Sequence, residues 1–184
     1  KDYLFEKLTG VFAIDHSAAS TSGLYNEADM DWDAEILSYA GITRDMLPPI
    51  VSGTHAESLT AEAAEATGLP AGLPVVIGAT DGVLVNVGIG AVEPGQLSAT
   101  IGTSGALRML TNRPMTDPKG RTWCYNLVDD IWVAGGAINN GGMILRWVRD
   151  RICHYTKAHL ENLDVDGYDL MTMKGIVRID FIVK

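Results

Sequence analysis

Asp81 stands where an apolar, strand-like run, Pro74-Val-Val-Ile-Gly-Ala-Thr80, meets a helix-like run of small residues, and the turn Gly102-Thr-Ser-Gly105 follows one helix and one strand later. A carboxylate at a strand end can accept the proton of an attacking hydroxyl or orient that hydroxyl. Glycines let backbone N–H groups come close to a phosphate, and the hydroxyls of Thr103 and Ser104 add donors. These are the parts needed to move a phosphoryl group onto an alcohol. The residues alone leave plainer alternatives open. Asp81 also suits the N-cap of a helix, and Gly102–Gly105 also suits a hairpin turn. A third run, Gly135-Gly-Ala-Ile-Asn-Asn-Gly-Gly142, precedes an amphipathic helix and reads equally as a strand-to-helix turn or as a loop lying against a nucleotide. It lacks the Lys-Ser/Thr ending of a P-loop and the downstream acidic residue of a dinucleotide fingerprint.

Other chemistries find little support. The four histidines, at 16, 55, 154 and 159, do not cluster, and the last two are off-register for shared metal ligation on one helix face. Neither Cys124 nor Cys153 has a Cys or His neighbour at metal-ligand spacing, so a reducing, cytoplasmic setting is expected. No serine sits in a nucleophile elbow. The formal net charge of -9 argues against nucleic acid as a partner, because that affinity comes largely from Lys and Arg on phosphates. No apolar run reaches bilayer-spanning length, so no membrane partner is expected. The start, Lys1-Asp-Tyr-Leu-Phe-Glu6, lacks the apolar core of a signal peptide and reads as the interior of a longer protein or a trimmed one.

The elements that must position these residues read as follows. Residues 3–8 end a helix that Gly10 stops, and the small, cap-rich stretch 15–23 leads into a short helix packed inward. Helices are expected over 32–40, capped by Asp31 and ended by Gly41, and over 58–66, ended by Gly68. Residues 74–79 read as a strand buried on both faces, and residues 82–90 as a helix presenting Val83, Leu84, Val87 and Ile89. From 96 to 134 four short β runs suggest an antiparallel meander, followed by a helix over 141–151 with Met143, Ile144, Trp147 and Val148 on one side. Helices over 154–163 and 168–173 and a strand over 176–183 complete the reading. A domain boundary is expected at 94/95, where helix-and-strand alternation gives way to hairpins.

With these residues in view the chain resembles a central part of the FGGY family of carbohydrate kinases, and within it the gluconate kinases most. The matching segments run in order: Tyr3-Leu-Phe-Glu-Lys-Leu-Thr-Gly10, Asp15-His-Ser-Ala-Ala-Ser-Thr-Ser-Gly-Leu-Tyr-Asn26, Asp31-Trp-Asp33, Ala40-Gly-Ile42, Pro74 to Gly82, Thr100 to Gly105, Thr116-Asp-Pro-Lys-Gly-Arg121 and Asn139 to Trp147. The resemblance implies an α/β chain with part of the ribonuclease H-like, actin-like ATPase fold. Residues 1–94 would close the sugar-binding domain, and residues 95–184 would open the ATP-binding domain with a divergent end over 164–184.

The resemblance also implies roles. Asp81 matches the family's catalytic base, close to a magnesium ion (Mg2+). Gly102 and Thr103 match the turn that contacts the terminal phosphates of ATP, and Gly142 a glycine on the nucleotide side. The implied reaction is ATP-dependent phosphorylation of the terminal hydroxyl of a sugar acid, gluconate, to 6-phosphogluconate. A xylulose or other polyol kinase is the alternative within the family, and a non-catalytic actin-like module the alternative outside it. The family's amino-terminal phosphate hairpin, most of its sugar-contacting residues and its late adenosine loop have no counterpart here, so little activity is expected of this chain alone. Apolar faces such as that of residues 74–79 raise the further expectation that copies associate as a homo-oligomer.

Overall fold

The computed structural model describes residues 1–151 and the backbone of 179–183. The helices expected over 154–163 and 168–173 lie outside the described residues. Six α-helices are described: α1 (Asp2–Thr9), α2 (His16–Ser20), α3 (Ala34–Ala40), α4 (Ala61–Thr67), α5 (Asp81–Gly88) and α6 (Gly142–Arg151). The strands are β1 (Ile14–Asp15), β2 (Tyr25–Asn26), β3 (Asp31–Trp32), β4 (Ile50–Val51), β5 (Ala56–Ser58), β6 (Pro74–Val76), β7 (Leu97–Ile101), β8 (Gly105–Thr111), β9 (Trp123–Val128), β10 (Ile131–Ile138) and β11 (Ile179–Val183).

Helix ends follow local chemistry. Gly41, at φ 68°, takes the left-handed conformation that ends α3, and Thr60 caps α4 by accepting the Ala63 N–H at 3.2 Å. Two expected boundaries shift. Asp33, not Asp31, caps α3, accepting from Glu35 and Ile36, because Asp31 and Trp32 are taken up in strand pairing with Asn26 and Tyr25. Ser58 belongs to β5 and pairs with Pro74, so α4 starts three residues later than its Ala-rich composition suggests.

The carboxy-terminal half forms one five-stranded antiparallel sheet in the order β11-β7-β8-β10-β9. It is not a simple meander, since β10 lies between β8 and β9 and pairs with both. Of the strand expected over 176–183, residues 179–183 form β11 alongside β7, and 176–178 lie outside the described residues. Between β8 and β9, the Arg121 guanidinium clasps Asp117 at 2.7 and 3.0 Å and holds its carboxyl at about 2.

Successive strand residues face opposite sides of a sheet, and β10 uses this to serve two cores. Trp132 packs with Cys124 against Ile14, Ala19, Tyr25, Trp32 and Leu37 from the amino-terminal half. Its neighbour Val133 packs on the other side with Leu110, Leu127 and Val83 of α5. The sheet is therefore covered by α2 and its neighbours on one face and by α5 on the other. The β6 strand differs from expectation: among the described residues it pairs only with β5, antiparallel, and Val76 remains 57% exposed. Its apolar run turns inward only at Ile77, which packs on Phe5 and Ala13.

Candidate active site

Asp81 is the first residue of α5 and is exposed. It is not the cap. Thr80 occupies the N-cap position, without a side-chain cap bond, and among the described residues nothing pairs with the Asp81 carboxylate. A free carboxylate at the start of a helix is available to a hydroxyl or a cation. Helix α5 is fixed behind it: Val83 is fully buried, and buried Asn86 accepts the Ser98 hydroxyl at 2.8 Å, tying α5 to β7. The buried positions are Val83, Val85 and Asn86, whereas Leu84 and Val87, expected inside, are exposed. The helix rests on the sheet through small residues and one polar tie, a pattern that apolar spacing misses.

Gly102 and Thr103 sit in the three-residue connection between β7 and β8, where Ile101 pairs with Gly105. The turn is a hairpin, as the plainer alternative had it, and it is also part of a larger arrangement. The Gly102 N–H donates to the Ser104 carbonyl at 2.8 Å. The Gly142 and Gly141 N–H groups donate to the carbonyls of Gly102 and Thr103 at 2.7 and 2.8 Å, clamping the start of α6 onto the turn. Gly102, Thr103 and Gly142 are thus brought together by the backbone. No hydrogen bond links them to Asp81 among the described residues.

This clamp divides the work of the turn. The amides of Gly102 and Gly142 are spent on carbonyls, while those of Thr103 and Ser104, with both hydroxyls, have no partner among the described residues. Thr103 and Ser104 are therefore the donors open to an anion. Gly141, which sequence reasoning did not single out, is the tightest point of the clamp: a Cβ there would lie 2.5 Å from the Ser104 carbonyl oxygen. The signal was present in the doubled glycine ahead of a helix. Also missed were Asp15 and Ser17, fully buried polar residues whose chain of hydrogen bonds ends on the Thr80 N–H.

Among the described residues no three His, Cys, Asp or Glu side chains gather into a metal cage, and no helix is long and apolar enough to cross a membrane. Magnesium does not need such a cage, since it is commonly held by one or two carboxylates with phosphate oxygens and waters. The unpartnered Asp81 carboxylate fits that role.

Residues 1–88 match the N-terminal domain of the FGGY family of carbohydrate kinases. Over 173 residues, 94% of the chain, the sequence is 44% identical to a gluconokinase of Bacillus subtilis, and it spans 34% of that relative's length. The fold is similar to a gluconate kinase from Lactobacillus acidophilus, with a TM-score of 0.79 and 28% identity over 87% of this chain and 33% of that one. A ligand-bound xylulose kinase from the same organism gives the same TM-score, identity and coverage. The described α/β architecture is thus part of the ribonuclease H-like, actin-like fold. The chain spans about a third of the length of these relatives.

Proposed function

The chain belongs to the FGGY family of carbohydrate kinases, and from that premise we propose that it carries the base and part of the phosphate cradle of an ATP-dependent kinase acting on the terminal hydroxyl of gluconate. The observation that carries this reading is Asp81, an exposed carboxylate left without a partner at the start of a helix whose other side is locked into the core. A carboxylate so placed accepts the hydroxyl proton as the sugar oxygen forms its bond to the γ-phosphorus of ATP and the bond to the ADP oxygen breaks. Charge spread over the transferred group is met by the N–H and hydroxyl donors of Thr103 and Ser104, held in place by the Gly141–Gly142 clamp. Asp81 would help hold a magnesium ion, which would supply neutralisation of phosphate charge. In this reading residues 1–94 form the sugar side and residues 95–184 the nucleotide side.

The similarity to the gluconokinase supports gluconate as the acceptor, and the product is then 6-phosphogluconate. Xylulose is the second reading, favoured by a xylulose kinase that matches the fold equally well. Catalysis of this kind rests on positioning by the whole clamp, so turnover is expected from a chimera in which residues 1–151 replace the matching segment of the Bacillus gluconokinase. In that chimera Asp81→Asn is expected to lower turnover by about 10²–10⁴-fold, the range of a general base, with gluconate affinity little changed. Retention of more than about a tenth of the turnover sinks the base assignment. A coupled assay over gluconate, xylulose and other polyols decides the acceptor.

A further inference from the structure

Thr80, the residue before Asp81, is held from a distant part of the chain. Its N–H donates to the Ser17 hydroxyl oxygen at 2.8 Å, across 63 residues of sequence. Ser17 is fully buried and gives its own proton to Oδ1 of Asp15, which is fully buried as well. A serine hydroxyl has one proton, so once Asp15 takes it the oxygen faces Thr80 only as an acceptor. Asp15 is fixed in turn. Its Oδ1 caps α2, accepting the Ser17 and Ala18 N–H groups at 3.0 and 3.2 Å, and its Oδ2 is paired with the Lys1 ammonium. The same ammonium lies 3.4 Å from the Ile77 carbonyl, so one network, anchored on the buried Asp15 and Ser17 and closed by the exposed Lys1, holds the 77–80 segment at both ends. Hydrogen-bond networks on buried groups favour one geometry.

The start of α5 needs such an outside hold because its own cap is missing. Thr80 makes no side-chain cap bond, and its Oγ1 is buried without a partner among the described residues. We propose that Ser17, oriented by Asp15 and Lys1, is a positioning residue for Asp81: the Ser17–Thr80 hydrogen bond sets where α5 begins and hence where the Asp81 carboxylate stands. The proposal rests on the reading of Asp81 as the proton acceptor. It adds that the geometry of this carboxylate is set from α2, in the amino-terminal half.

The test uses the 184-residue chain and site-resolved NMR. Ser17→Ala is expected to speed amide exchange at Thr80 by about tenfold or more, the loss of a hydrogen bond of about 1.4 kcal/mol, and to average the side-chain couplings of Asp81. Exchange at Leu110 and Val133 should stay within about twofold. Ser98→Ala, which removes the other polar tie to α5 at Asn86, is expected to leave Thr80 and Asp81 as they are. Unchanged exchange at Thr80 in Ser17→Ala overturns the proposal, as does uniform acceleration of all amides or an equal response to Ser98→Ala. Should Ser17→Ala not fold, the unmutated chain decides: a distinct Ser17 hydroxyl resonance with a cross-peak to the Thr80 amide supports the bond, and its absence refutes it. None of these readouts depends on turnover, so an active Asp81→Asn chimera would sink the base assignment separately.

Discussion

At the scale of single residues, the least expected group is Glu27, on the turn between β2 and β3. Its Oε2 is buried without a partner among the described residues, and its charge is felt at Tyr25 and, across the sheet boundary, at Cys124 and Tyr125 of β9. Burial pushes its carboxyl up to about 7. The folded state therefore holds this proton more tightly than the unfolded chain, whose carboxyl titrates near 4.5. Stability is full below about 4.5, falls as pH rises towards about 7 and levels off above it. For a half-buried group the loss is about 1–2 kcal/mol after allowance for solvent screening. Glu27→Gln is expected to remove this slope and raise stability at pH 8 by a similar amount, checked by urea melts between pH 5 and 8; an unchanged slope counts against it. A glutamate in a turn reads from sequence as a solvated residue, and only the packing of β9 against the hairpin makes it otherwise. Asp81 was legible as a candidate, although on spacing alone a cap was the stronger reading, and the structure puts Thr80 in the N-cap position instead.

At the scale of elements, local signals did well wherever the deciding physics is local. The helix ended by Gly10, the capped short helix after Asp15 and the helix opening at Asp81 follow from caps, glycines and periodicity. What sequence could not supply was pairing. The run 74–79 is apolar enough for a central strand, but its one partner among the described residues, β5, leaves Val76 in the open, and the insertion of β10 between β8 and β9 depends on contacts no local window contains. The glycine clamp belongs to this scale, because Gly141 joins two elements by letting backbones touch. Gly141→Ala would drive a Cβ to 2.5 Å from the Ser104 carbonyl, backbone against backbone, with no flexible side chain to yield. We expect it to cost about 1–3 kcal/mol, as overpacking does, and to loosen the 102–104 turn. Urea melts and amide exchange at Gly142 check this; a melt within about 0.5 kcal/mol of the parent would show that the turn and α6 are not pressed together.

At the scale of the whole molecule, the strand pairing changes near residue 94 while the cores run across it. Two-stranded ribbons precede it and a five-stranded sheet follows, yet Trp132 and Cys124 complete a cluster whose other members lie between residues 14 and 37, and Val83 completes one built from β8, β9 and β10. Each half thus leaves a face of the other uncovered if they part, and burying a tryptophan and its neighbours is among the largest single terms in a core. The two halves of the described structure should therefore unfold as one unit. In native-state hydrogen exchange, amides of α3 and of β8 are expected to lose protection at the same urea concentration. Trp132→Ala, which sits on the sheet but faces the amino-terminal cluster, should lower the opening free energy of both by the same amount, about 3–5 kcal/mol for a buried aromatic. If α3 opens first while β8 stays protected, the boundary near residue 94 divides the cores as well as the strands.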